Sequence, residues 1–496
     1  MSNLTRKVLP YLAFLIVHIY LVCFGEIYHD GMTIYDLNYY HSVTSKMFVD
    51  NEWVIFGTAP GTVFLYPPLA LLAMWVPYLM PGALGSIQLY RIGWYIFMLV
   101  LNGLVFWRLR RASITSPPAS RIWKPEFFWI IFLFLLGPIS ITRLDSVITP
   151  LTILAILAIP AKMNLSASLL TLGAWIKLLP AALLIPVWAF YRAFRTRILP
   201  IAIGASLVIA AIGLIGGAPV DYFKFLLGNQ ERSLQIESVW GTPFMLFDAI
   251  IGDSSHAFYD QESLSMELEG VIPRFLAHYL VFPFLGLVII ALSWLTLRIA
   301  RNLKRYPQFY LPVSKSDLDQ SNLSALISIR HFDESAPYSS FSTDASVSTS
   351  ILRSSLQSKA SNMTSSSFKQ PFIQLAKTIH PTVYTTKAEL ICVSGLALFL
   401  ALIIFNKVGS PQFYSILAAP LIGGLIFSAS QIHWFKLMGS LGLIIAGLTY
   451  LVYPLTYNDV SAVHLIPVLV LAARNILALY MFYRSVKLLY ELSNFP

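Results

Sequence analysis

Five carboxylates crowd the stretch between residues 26 and 68: Glu26, Asp30, Asp36, Asp50 and Glu52, set against a single lysine, Lys46. Tyr35, Tyr39, Tyr40 and Trp53 are interleaved with them, and the stretch closes on Tyr66-Pro67-Pro68. A carboxylate held near an apolar surface can take the proton from an attacking hydroxyl, and aromatic rings pack on the faces of sugars and lipids. The plain alternative is a solvated loop with aromatics at a membrane interface.

A second polar run, Glu231-Arg232-Ser233-Leu234-Gln235-Ile236-Glu237-Ser238, lies between Phe225 and Trp240. Arg232 and Gln235 beside a membrane could hold a phosphate through charge-assisted hydrogen bonds, and Glu237 could orient the arginine or bind hydroxyls. Its alternative is the charged cap of a short surface helix. A third group is scattered: Arg143 and Asp145 share one turn, Lys177 sits between Trp175 and Pro180, and Lys407 precedes Ser410-Pro411-Gln412. Ionisable groups at such depths are costly and therefore candidates for function, with snorkelling to the interface as the bland reading.

The elements that must position these residues are membrane helices. Of 496 residues, 57% are hydrophobic and only 12% charged, and the mean hydropathy is +0.69, which excludes a soluble domain. The net charge of +10 would point to nucleic acid in a soluble chain, but here Lys and Arg cluster at the ends of apolar runs and report topology. Cys23 and Cys392 both fall inside apolar runs, so neither a disulfide framework nor a thiolate metal site is expected. The chain carries no phosphate-binding glycine loop, no paired-histidine metal motif and no nucleophile elbow. Its histidines are scattered, with His29 and His41 sharing the loop of Asp36.

The first apolar run, residues 8–25, lacks a cleavage site and is expected to be an uncleaved membrane helix. Residues 67–80 are short for a span of about 20 residues and carry Pro77, so they are expected to form a re-entrant or juxtamembrane helix. That choice sends residues 90–107 inward and delivers Arg108, Arg110, Arg111, Arg121 and Lys124 to the cytoplasm. Spans are then expected over 127–142, 147–160, a tight pair within 165–190 with Lys177 and Pro180 at its apex, 198–215, 273–297, 388–405, 413–430, 437–454 and 463–483, with residues 143–146 as an external turn. The fold class is all-α, with about 12 transmembrane helices and both termini cytoplasmic. The organisation expected is a transmembrane part over 1–305 with external loops 26–66 and 216–272, a cytoplasmic Ser/Thr-rich disordered insertion over 306–387, and a C-terminal transmembrane part over 388–496.

Several of these residues recur, in order, in one known family. Asp36-x-x-Tyr39, Tyr66-Pro67-Pro68-Leu69, Arg143-x-Asp145, Lys177-Leu-Leu-Pro180, Arg232-Ser-Leu-Gln-Ile-Glu-Ser238, Lys407-Val-Gly-Ser410-Pro411-Gln412 and Arg474-Asn475 make the chain resemble glycosyltransferase family 87. These are GT-C type, polyprenol-phosphate-mannose-dependent mannosyltransferases of actinobacterial type. The landmarks span most of the chain except the Ser/Thr-rich insertion. The resemblance implies an inverting transferase at the external face of the cell membrane. It implies a polyprenyl-phosphate sugar donor, most simply mannose, and a lipid or glycan acceptor, with membrane lipids around it and no nucleic acid. Asp36 would be the base, with Asp30 the next candidate. Arg232 would hold the donor phosphate, with Lys177 and Lys407 as further candidates, and Gln235 and Glu237 would contact sugar hydroxyls. Tyr39, Tyr66, Arg143 and Asp145 would support the site. No metal or cofactor is expected, since Arg and Lys can stabilise a monophosphate leaving group. One departure from the family pattern is Leu65, where an acid often precedes Tyr-Pro-Pro. Transfer of arabinofuranose from a similar carrier stays open. So does a lipid or solute transporter, although no internal repeat is evident.

Overall fold

The computed structural model describes residues 3–27, 29–56, 64, 66–115, 124–215, 222, 223, 225, 232–252, 256–260, 265–305, 369–428 and 430–494. It divides into two units, residues 1–307 with 387–496, and residues 308–386. The first unit is a helical body in which six helices are long and apolar enough to cross a membrane: Val8–Ile27, Ile87–Ala112, Val271–Arg305, Thr386–Ile404, Ile432–Leu455 and Leu465–Ser493. Their burial differs sharply. The Thr386–Ile404 window is 89% buried within protein, whereas the Val8–Ile27 and Val271–Arg305 windows are 28% buried. The first is therefore a central helix, while the other two turn most of their apolar surface outward. Ile201, Leu207 and Ile215 on the helix Leu199–Ile215 and Leu287 and Ile290 on Val271–Arg305 are exposed in the same way. Such continuous apolar faces suit lipid, which leaves the helices to satisfy their backbone groups internally.

The apolar runs in which about twelve spans are expected form six long helices and a set of shorter ones, because several of the runs are broken by specific residues. The run expected over 127–142 is helical as Pro125–Leu136, started by a proline at its first position. It stops at Gly137, whose φ of 73° is open to glycine, and Pro138 follows. A Cβ at Gly137 would lie 2.4 Å from the Tyr450 ring, so packing demands glycine there as well. After one short turn, Ile139–Thr142, Arg143 is extended and the helix Leu144–Ala158 begins. The residues expected as an external turn are instead buried: Arg143, Asp145 and Ser146 are 9%, 1% and 2% exposed. Hydropathy finds the interruption, but an interruption inside a bundle is enclosed by its neighbours.

Another break sits at Lys177. The helix Met163–Ile176 ends there with Lys177 extended, and Pro180 opens the next turn, Leu179–Leu183, before the helix Leu184–Phe190. This is the expected pair of short helices. The element expected as a re-entrant or juxtamembrane helix after the first loop is also short, Ala70–Trp75 followed by Val76–Leu79. The helix Lys369–Ile404 starts inside the stretch expected to be insertion, with Pro371 in its first turn, where a missing N–H costs nothing. Residues 306–368 lie outside the described residues.

The second loop adds one small sheet to the helical body. It carries a small antiparallel sheet ordered β1 (Leu234–Gln235), β3 (Ser265–Leu268), β2 (Ala257–Asp260), with Leu234 opposite Leu268 and Gln235 opposite Glu267. Strands this short leave no alternating pattern to read. Leu234, Ile236 and Leu268 are fully buried and share a cluster with Met245, Val452 and Leu471. The polar run is thus the edge of a packed element and not the cap of a surface helix.

Candidate functional site

Asp36 stands in the first turn of the helix Tyr35–Val49, with 15% of its side chain exposed. Its carboxylate pairs with the guanidinium of Arg143. That arginine is aimed by its backbone: it is the extended residue between two helices, its N–H donates to Ser146 Oγ at 3.0 Å, and the next N–H, of Leu144, donates to the Tyr40 hydroxyl at 3.3 Å. Two residues on, Asp145 pairs with Lys177 from the neighbouring break. The two ion pairs alternate in sign across one short turn, so the charges largely cancel within the protein. This limits the desolvation cost of burying them.

Lys177 lies over the Tyr66 ring at 5.9 Å and the Phe413 ring at 4.9 Å. Tyr66 packs edge-on against Tyr40, with ring centroids 6.0 Å apart. Burial, reinforced by the charge of Asp36, raises the Tyr66 phenol above its usual range and keeps it protonated. Tyr39 is half-buried and packs against Tyr40.

The second side of the site is the turn after β1. Glu237 is 2% exposed, and its Oε2 accepts from Gln235 Nε2 at 2.8 Å while Oε1 has no hydrogen-bond partner. Burial pushes its carboxyl up to about 7, although the charges of Arg474 and Arg143 act in the opposite sense. The turn is held from behind by the helix Leu465–Ser493: Arg474 donates to the Glu237 carbonyl at 2.6 Å, and Asn475 donates to Thr242 Oγ1 at 2.6 Å. From the front it is met by residues 407–409. The Gly409 N–H donates to Gln235 Oε1 at 2.9 Å, and a Cβ on Gly409 would lie 2.2 Å from the Ser238 nitrogen. Only glycine allows that approach.

Arg232 lies two residues before β1. Burial lowers its guanidinium from the ordinary range, while Glu267, Tyr66 and Asp260 oppose that shift. Lys407 donates to the Arg232 carbonyl at 2.5 Å, and burial, with the nearby Arg232 charge, brings its ammonium down to about 8. Since Tyr66 interacts with both Asp36 and Arg232, and Glu237 feels Arg143, the two sides face a common region.

The expected residues therefore divide. Asp36, Tyr66, Arg143, Asp145 and Lys177 come together, with Arg232 and Glu237 across from them. Gln235 and Lys407 are spent inside the loop, fixing Glu237 and Arg232. Asp30 falls on the short turn His29–Ile34, but its side chain lies outside the described residues, as do Leu65 and Glu231. Among the described residues no group of three or more His, Cys, Asp or Glu could hold a metal ion.

Tyr453 and Tyr40 were not among the expected site residues. The Tyr453 hydroxyl accepts from Arg143 Nη2 at 2.6 Å and donates to the Met32 carbonyl at 2.9 Å. A tyrosine near the end of an apolar span reads as an interfacial anchor, so nothing in its neighbourhood marks it. Arg474 did carry a signal, as a charged residue within a span. The arrangement as a whole offers a carboxylate fixed by a guanidinium, facing a second carboxyl near its midpoint of ionisation, with two cationic side chains close by. It can accept a proton, bind hydroxyls and neutralise an anion.

The family model described as Glycosyltransferase family 87 matches residues 64–312, half of the chain. The match contains Tyr66, Arg143, Asp145, Lys177, Arg232, Gln235 and Glu237, and leaves out Asp36, Lys407, Tyr453 and Arg474. No curated protein and no solved structure gives a match.

Proposed function

Because the chain belongs to glycosyltransferase family 87 and is a multi-pass membrane glycosyltransferase, we propose that it moves mannose from a polyprenyl-phosphate donor to a lipid or glycan acceptor at the external face. Asp36 takes the proton of the acceptor hydroxyl as its oxygen forms the new bond to the anomeric carbon. The bond from that carbon to the phosphate oxygen breaks, the configuration inverts, and polyprenyl phosphate leaves with the electron pair.

What supports the reading above all is the buried pair of Asp36 and Arg143. The pair keeps the carboxylate in one orientation while part of its side chain stays exposed. Arg232 and Lys177 offset the charge that grows on the leaving phosphate. Lys407 holds Arg232 by its backbone, and Gln235 holds Glu237. With its carboxyl near 7, Glu237 can both donate to and accept from a sugar hydroxyl.

The test is direct. Purified protein is given polyprenyl-phosphate mannose and an envelope lipid extract, alongside Asp36→Asn. Transfer by the wild type and a loss of at least about 1,000-fold in the variant are expected, since the base and the proton it removes are both at stake. No transfer to any fraction, or an active Asn variant, overturns the mechanism.

A further inference from the structure

We propose that Tyr453 is a positioning residue that sets the direction of the Asp36 carboxylate through Arg143; the role rests on Asp36 acting as the base. One hydroxyl joins the two sides of the ion pair. Its oxygen accepts from Arg143 Nη2 at 2.6 Å, and its proton goes to the carbonyl of Met32 at 2.9 Å, four residues before Asp36 in the turn that leads into its helix. The same atom therefore grips the guanidinium that holds the carboxylate and the backbone that carries it.

Arg143 has no substitute for this contact. Its Nε is buried and without a partner, and its other arm is engaged by Asp36. If the hydroxyl is removed, Nη2 loses its acceptor in a buried place, the guanidinium is free to turn about the carboxylate, and the Met32 carbonyl loses its donor. The tyrosine does not itself act as an acid or base here, because its one proton is committed to a carbonyl. It comes from the end of the helix Ile432–Leu455, far along the chain from both partners.

A base must meet its proton at hydrogen-bond distance, and a misplacement of about 1 Å can cost about 100-fold in rate. Tyr453→Phe keeps the ring and deletes the contact. We expect kcat to fall by about 10- to 100-fold, with KM for donor and acceptor changed by less than about threefold, since no substrate contact is lost. The deciding experiment is a cycle with Arg143→Lys, whose ammonium can pair with Asp36 but has no second planar arm for the tyrosine. In that background Tyr453→Phe should cost no more than about twofold. An undiminished kcat in Tyr453→Phe, or the same loss in both backgrounds, overturns the proposal. The cycle is also run on melting temperature, which needs no substrate. If the wild type does not transfer from polyprenyl-phosphate mannose, or if Asp36→Asn stays active, the functional reading fails. The tether still stands or falls on whether the two melting shifts couple or add.

Discussion

Replacing Glu237 with glutamine is expected to stabilise the protein, and more so as the pH rises from 5 to 7. Glutamine keeps the shape and the acceptor that Gln235 uses, and removes only the ability to ionise. The carboxyl titrates near 7 in the folded chain against an ordinary 4.5. A raised carboxyl binds its proton more tightly when folded, so its contribution is fully present below about 4.5 and is lost as the pH rises through about 7. Carrying the carboxyl from 4.5 to about 7 is worth about 3 kcal/mol once complete. Of this, about 1 kcal/mol has been lost at pH 5 and nearly all by pH 7, with little further change above. Melting of the detergent-solubilised wild type and Glu237→Gln at a fixed heating rate, from pH 5 to 8, reads the difference directly. A gap that widens with pH and then levels is the expected result. A gap independent of pH, or a glutamine variant that falls further behind as pH rises, would show that Glu237 is not the buried, weakly compensated acid described.

Three other perturbations follow from the same geometry. Gly409→Ala forces a methyl group to within 2.2 Å of the Ser238 nitrogen and should destabilise by about 1–3 kcal/mol, with transfer lost as the Gln235 contact opens; an unchanged melting curve refutes the close approach. Lys177→Met strands the carboxylate of Asp145 and should cost about 3–5 kcal/mol, most of it recovered by adding Asp145→Asn while transfer stays low; recovered transfer would remove Lys177 from donor binding. Glu269→Cys in a Cys23→Ser background should react with an impermeant maleimide on intact cells, since Glu269 is exposed; reaction only after permeabilisation reverses the topology.

Helices and their breaks were legible in the sequence because hydropathy and proline are local signals. The span expected over 198–215 is the helix Leu199–Ile215, and that over 147–160 is Leu144–Ala158. The kink at Lys177 was visible as a charge followed by Pro180. What could not be read is how breaks face one another. Arg143 looked like part of an external turn because its neighbours in sequence are polar, whereas its neighbours in space are Asp36 and Tyr453. The sheet escaped because each strand is at most four residues long, and β1 pairs with a strand about thirty residues away. Gln235 and Lys407 carry the right chemistry for a substrate site, but their hydrogen bonds go to the loop, and only coordinates reveal such an allocation.

The grip of Arg474 on the carbonyl of Glu237 has a consequence for how the enzyme comes into being. The two residues are 237 positions apart, and Arg143 is 310 positions from Tyr453. During synthesis, Asp36, Arg143 and Glu237 are all made and inserted well before their final supports exist. A ribosome paused in the Ser/Thr-rich stretch holds a chain with its whole family-matched region and both members of the Asp36–Arg143 pair, but with neither Tyr453 to grip Arg143 nor Arg474 to grip the Glu237 carbonyl. The last helix, Leu465–Ser493, is thus the latch that closes the Glu237 turn from behind, and it is the last part of the chain to be made.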